Sequence, residues 1–63
     1  MDETIATKIL DYVKKLKEPV SIKELAQEAK INYNTALKYC EILESQGKLI
    51  IKEMGNVRAV LPK

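Results

Sequence analysis

The chain has 63 residues, with 11 basic and 9 acidic side chains, a formal net charge of +2, one Cys, and no His, Trp or Phe. That length supports one domain with a small stability margin, whose core must come from Ile, Leu, Val, Ala, Met and Tyr. A lone Cys without His excludes an internal disulfide and a cysteine- or histidine-built metal site.

The first helix is predicted over about residues 3–17. Asp2 or Thr4 can cap it, and an acidic start suits a helix N-terminus. Ile5, Ile9, Val13 and Leu16 form an apolar stripe, with Ala6 and Leu10 to one side and Tyr12 toward the opposite side. Lys14, Lys15 and Lys17 gather at the C-terminal end, and Pro19 stops the helix. A residue or two of extended strand is expected near Val20, making one or two ladder bonds at most.

A second helix is predicted over about 21–29. Ser21 can cap it, and Glu24 stands three residues later, where it can return the bond as a capping box. Val20 and Leu25 occupy the positions of a hydrophobic staple. Ile22, Leu25, Ala26 and Ala29 face inward; Lys23, Gln27, Glu28 and Lys30 face water.

The same grammar repeats for a third helix over about 32–46. Ile31 precedes Asn32, a good N-cap, and Ala36 takes the staple position; Asn34 competes as the cap. Ala36, Cys40 and Leu43 form the buried seam, flanked by Leu37, Tyr39 and Ile42. Cys40 reads as a small buried apolar residue. Gly47 follows as the helix stop. Two caps this close leave a turn of three or four residues, which joins helices steeply. A plain antiparallel helix pair is the competing arrangement.

After Gly47 the apolar period becomes strand-like. KLIIKE and VRAVL, separated by Gly55-Asn56, predict a hairpin over about 48–61 with a loop of two to four residues. Leu49, Ile51, Val57, Ala59 and Leu61 are the expected inward set, although Ile50 and Val60 leave the register open. A lone hairpin is marginal, so it must pack on the helices. A plain helix pair needs no such hairpin.

The spacing Leu25-Ala26, Ile31, Thr35-Ala36, Leu43-Glu44, Gly47, Leu49-Ile50 resembles the winged helix-turn-helix proteins among archaeal and bacterial transcriptional regulators. The resemblance covers about 21–61, and the first helix matches less specifically. It implies an α+β fold: a three-helix winged helix-turn-helix domain over 1–63 with a C-terminal β-hairpin wing. It also implies sequence-specific binding of double-stranded DNA by a small transcriptional regulator, with the third helix in the major groove. Members usually carry Gly before the Ile, where this chain has Lys30, a strained choice if φ is positive there.

The resemblance places base-facing positions at Tyr33, Asn34 and Lys38, with Thr35 nearby. Asn34 can pair with adenine, Lys38 can donate to guanine or phosphate, and Tyr33 can reach phosphate or sugar. The helix starts at Ser21 and Asn32 offer free N–H groups to phosphate. Lys23, Lys30, Lys38, Lys52 and Arg58 can surround that footprint, with Lys52 and Arg58 flanking the wing. Glu41 and Glu44 are expected to point away from DNA. Each residue also has a plainer role: Asn34 as a local cap, Lys38 as a solvated lysine, Tyr33 as an edge of the core, Arg58 as a strand residue paired with Glu53.

Leu10, Tyr12 and Ile42 are candidates for a homodimer surface, or for ordinary packing at the core edge. A protein-interaction winged helix within a larger assembly is the alternative function, and an exposed apolar patch would mark it. An enzyme is not expected: there is no nucleophile–His pair, no glycine-rich phosphate loop, and no cofactor motif. No run reaches membrane-spanning length and no cleavable signal is evident, so a cytoplasmic, reducing setting is expected.

Overall fold

The computed structural model describes residues 2–63. The elements are α1 (Glu3–Leu16), β1 (Val20–Ser21), α2 (Ile22–Ala29), α3 (Tyr33–Ser45), β2 (Leu49–Met54) and β3 (Val57–Pro62). Three helices pack against one antiparallel sheet of order β1-β3-β2. This is the expected architecture, with the hairpin extended to three strands by β1.

Local chemistry explains each boundary. The Asp2 carboxylate accepts the Thr4 N–H at 2.9 Å and starts α1. Ser21 Oγ accepts the Glu24 N–H at 3.1 Å and starts α2. Asn32 Oδ1 accepts the Thr35 N–H at 2.8 Å and starts α3. Asn32 is therefore the cap, and Asn34 lies within the helix on its exposed side. The Glu24 half of the capping box takes another form: its carboxylate accepts the Tyr12 hydroxyl rather than the Ser21 N–H.

Two helices end in the paired bonds of a Schellman motif. After α3, the Gly47 N–H reaches the Glu44 carbonyl and the Lys48 N–H reaches that of Leu43, with Gly47 at φ 74°. After α2, the Lys30 N–H reaches the Gln27 carbonyl and the Ile31 N–H reaches that of Ala26. Here the left-handed position belongs to Lys30, at φ 58°, the strained case foreseen above. Lys17 closes α1 in the same region, at φ 56°.

The core draws on every element. Ile9 and Val13 of α1, Val20 of β1, Ile22 and Leu25 of α2, Ala36, Cys40 and Leu43 of α3, Leu49 of β2 and Val60 of β3 are all buried. Both members of the predicted staple, Val20 and Leu25, belong to it. Among the described residues no polar or charged side chain is buried. Tyr12, expected on the side opposite the stripe, instead packs half-buried against this core.

The hairpin register differs from the expected inward set on one strand. Val20, Val60 and Ile51 stand side by side across the sheet, facing the helices with Leu49. Val57 is half exposed, and Ala59 is buried outside the main core cluster. Ala59 lies between Ser21 and Lys52 on the other face, which Leu61 shares. The turn decides this. Gly55 and Asn56 form a two-residue loop with Gly55 at φ 65°, so Met54 pairs with Val57 and Ile51 with Val60. Facing residues point the same way, so an inward Ile51 places Val60 inward too.

Candidate nucleic-acid interface

The Schellman bonds at Lys30 and Ile31, followed at once by the Asn32 cap, turn the chain sharply between α2 and α3. This leaves the first turn of α3 exposed, with Asn32, Tyr33 and Asn34 in water and Ala36 in the core. Asn34, Lys38 and Glu41 follow at helical spacing on one exposed stripe. Thr35 sits beside it, half-buried.

Beside that turn lies a groove of about 360 Å³ lined by Ser21, Ile22, Lys23, Tyr33, Asn56, Val57 and Arg58. One wall comes from the starts of α2 and α3. The other is the tip of the β2–β3 hairpin. The sheet makes this meeting possible, because the Val20–Val60 and Ser21–Ala59 pairing ties the start of α2 to β3. Tyr33 remains 43% exposed at the mouth, so it is not sealed into the core edge. Ser21 Oγ accepts the Glu24 N–H, and its own proton is free to donate to an anion. Lys23 and Arg58 supply the positive charge.

The other candidate residues are spread around this groove. Lys30, Asn32 and Lys38 are exposed outside it, and Lys52 is exposed on β2. Arg58 faces Glu53 across the strands, with Nε 3.8 Å from Oε1. That is an exposed ion pair beyond hydrogen-bond distance, worth ~0–1 kcal/mol, and it leaves Arg58 free to re-pair. Arg58 also borders a second groove with Leu37, Glu41, Glu44, Ile51 and Glu53. Its charge is thus shared between a basic and an acidic side of the wing.

Glu44, late in α3, makes a structural contact. Its Oε2 accepts the Ile51 N–H at 3.0 Å, on the open edge of β2. Tyr39 performs a similar task elsewhere, its hydroxyl accepting the Asp2 N–H at 2.9 Å and joining α3 to the start of α1. Neither bond has a local sequence signal, since the partners lie 7 and 37 positions apart.

The three candidate dimer residues are not equivalent. Leu10 and Tyr12 are half-buried against the core, Leu10 toward the end of α3 and Tyr12 beside α2. Ile42 is exposed. Two groups show displaced titration. The hydrogen bond to Glu24 pushes the Tyr12 hydroxyl up to about 12, aided by desolvation and by the charges of Glu24 and Glu28. Burial, with a smaller part from Glu41, pushes the Cys40 thiol up to about 11. Neither change supplies a nucleophile or a base at neutral pH. Among the described residues no cluster of three or more His, Cys, Asp or Glu could hold a metal. Among the described residues no helix is long and apolar enough to cross a membrane.

The family model described as an HTH (helix-turn-helix) domain matches residues 6–56. No curated protein matches the chain in sequence. Among solved structures the fold is similar to HOP2, in work on its DNA recognition and protein interaction domains and on homologous DNA pairing. The two are 19% identical, over 94% of this chain and 98% of that one, with a TM-score of 0.79. It is also similar to part of human N-acetylserotonin methyltransferase in complex with SAM: 11% identity, 97% of this chain, 18% of that chain, and a TM-score of 0.82. At these identities the likeness is one of fold.

Proposed function

The chain belongs to the HTH domain family, and on that footing we propose that it is a DNA-binding module rather than an enzyme. It binds double-stranded DNA sequence-specifically and serves as a small transcriptional regulator. The observation that carries this reading is the shared groove, where Lys23 and Tyr33 beside the first turn of α3 meet Asn56 and Arg58 of the wing. In this reading α3 enters the major groove, and Tyr33, Asn34 and Lys38 meet base edges or the adjoining backbone, with Thr35 beside them. Ser21, Lys23 and Arg58 hold the phosphate strand between α3 and the wing, with Lys30, Asn32 and Lys52 at the margins. HOP2, which shares the fold, is described in terms of DNA recognition, which fits.

The test is a titration on duplex DNA across a salt series. Affinity should fall steeply as salt rises, because each neutralised phosphate releases counterions. Absence of binding at low salt would remove the proposal.

A protein-interaction role is the second reading, favoured by the acidic groove between α3 and β2. Leu37 and Ile51 are half-buried there among Glu41, Glu44 and Glu53. Such a surface repels DNA and suits a basic protein partner. Reversing Glu41 and Glu53 to Lys would strengthen DNA binding generally if DNA is the main ligand. It would abolish partner binding if the groove is the main site.

A further inference from the structure

The tip of the wing carries an apolar pair with no partner in the fold. Met54 and Val57 face each other directly across the two-residue turn. They are 52% and 50% exposed, more than any other large hydrophobic side chain among the described residues. Facing residues project from the same side of a ribbon. With Ile51 and Val60 turned toward the core, the alternation places Met54 and Val57 on the opposite face. Lys52 shares that face, and Val57 borders the groove that also holds Tyr33 and Lys23.

From this we propose that the wing tip is an apolar wedge that enters the minor groove of bound DNA, inserts Met54 and Val57 against a base step, and bends the duplex. The inference rests on the DNA-binding reading above. The chemistry of the tip favours this occupant: the apolar pair shares its face with Lys52, and Arg58, next to Val57 and facing Glu53 on the reverse face, adds a second cation, so the tip matches a slot with stacked bases within and phosphates along its rims. The geometry requires the bend. A B-form minor groove is about 6 Å wide, while the backbones of a strand pair alone lie about 4.8 Å apart, so the ribbon with its side chains enters only if the groove opens. Apolar side chains that open a minor groove do so by partial unstacking, which kinks the helix toward the major groove. The easiest steps to unstack are pyrimidine–purine steps. The wing therefore selects for deformability at a step that makes no hydrogen bond to it.

The test is end-to-end energy transfer on a doubly labelled duplex of about 20–30 bp, with and without saturating protein. Wild-type protein should shorten the end-to-end distance by an amount equivalent to a bend of about 20–90°. The variant Met54→Ser/Val57→Thr should still bind, with an unchanged salt slope, and should leave the duplex nearly straight. The variant Met54→Leu/Val57→Ile keeps the apolar tip and should bend DNA as wild type does, which guards against a loss of folding in the polar variant. DNA that is bound but straight overturns the wedge and leaves the DNA-binding reading standing. Equal bending by the polar variant also overturns it. A failure to bind any duplex at low salt overturns both.

Discussion

The Tyr12 hydroxyl donates to Glu24 Oε2 at 2.6 Å, joining the middle of α1 to the first turn of α2. Glu24 thereby occupies the capping position while serving a tertiary contact. It still lies near the positive end of the α2 dipole, where a carboxylate is favoured. Tyr12→Phe should lower the thermal midpoint while leaving the Ser21 cap intact. The same bond predicts a pH dependence. The folded-state pKa is raised from the ordinary 10 to about 12, so the contribution is full below pH 10 and is lost as pH rises through 12. Thermal melts between pH 9 and 12 should show this decline in wild type and a smaller one in Tyr12→Phe.

Lys30 holds a left-handed conformation at the end of α2, where the crowding of Cβ against the following carbonyl oxygen brings strain of roughly 1–2 kcal/mol that Gly, lacking Cβ, avoids. Lys30→Gly should stabilise the fold by about 0.5–1 kcal/mol, because the greater freedom of Gly in the unfolded chain offsets part of the relief. Chemical denaturation measures this. If Lys30 also contacts phosphate, the same variant should bind duplex DNA more weakly with a shallower salt slope, so stability and affinity would move in opposite directions.

Cys40 has no exposed surface. At pH 8 its thiol is protonated and out of reach, so a disulfide-exchange reagent should react only as fast as the fold opens, and rapidly in denaturant. Cys40→Ser places a hydroxyl among apolar neighbours and should destabilise by about 1–3 kcal/mol, enough to unfold a large fraction of so small a protein. Cys40→Ala should cost less, since it adds no polar group.

Asn34, Lys38 and Glu41 share one exposed stripe of α3, so the residue beyond the proposed reading positions is an acid. Glu41, expected from the sequence to point away from DNA, stands about one turn beyond Lys38 on this stripe. It should limit how far α3 lies along the major groove. Glu41→Gln should raise affinity for all duplexes several-fold, most at low salt. Lys38→Ala should weaken binding, and should reduce the salt slope by about one if its contact is to phosphate. Asn34→Ala should relax preference at one base position by about 1–3 kcal/mol if its amide reads adenine. Competition binding on a set of single-base variants separates these effects.

Much of this was legible locally. Ser21 and Asn32 announce the starts of α2 and α3, Gly47 announces the end of α3, and the seam of Ala36, Cys40 and Leu43 is spaced for one buried face. Caps, stops and helical periodicity act over a few residues, so sequence exposes them. Even the inward place of Val60 follows once the turn is taken as the two residues Gly55 and Asn56. The consecutive apolar pairs Ile50-Ile51 and Ala59-Val60 conceal it from a reading of alternation alone.

What only the tertiary structure decided are relations between distant segments. The groove joins Lys23 and Tyr33 to Asn56 and Arg58 because Val20 pairs with Val60. Tyr12 meets Glu24, Glu44 meets the edge of β2, and Met54 and Val57 are left uncovered at the wing tip. Burial of one contiguous core selects these juxtapositions, since hydrophobic contact depends on which faces meet and carries no mark in the local chain. Sequence by itself thus determined three capped helices and a hairpin. The packing of that hairpin on the helices set the groove from Ser21 to Arg58 and the apolar tip beside it.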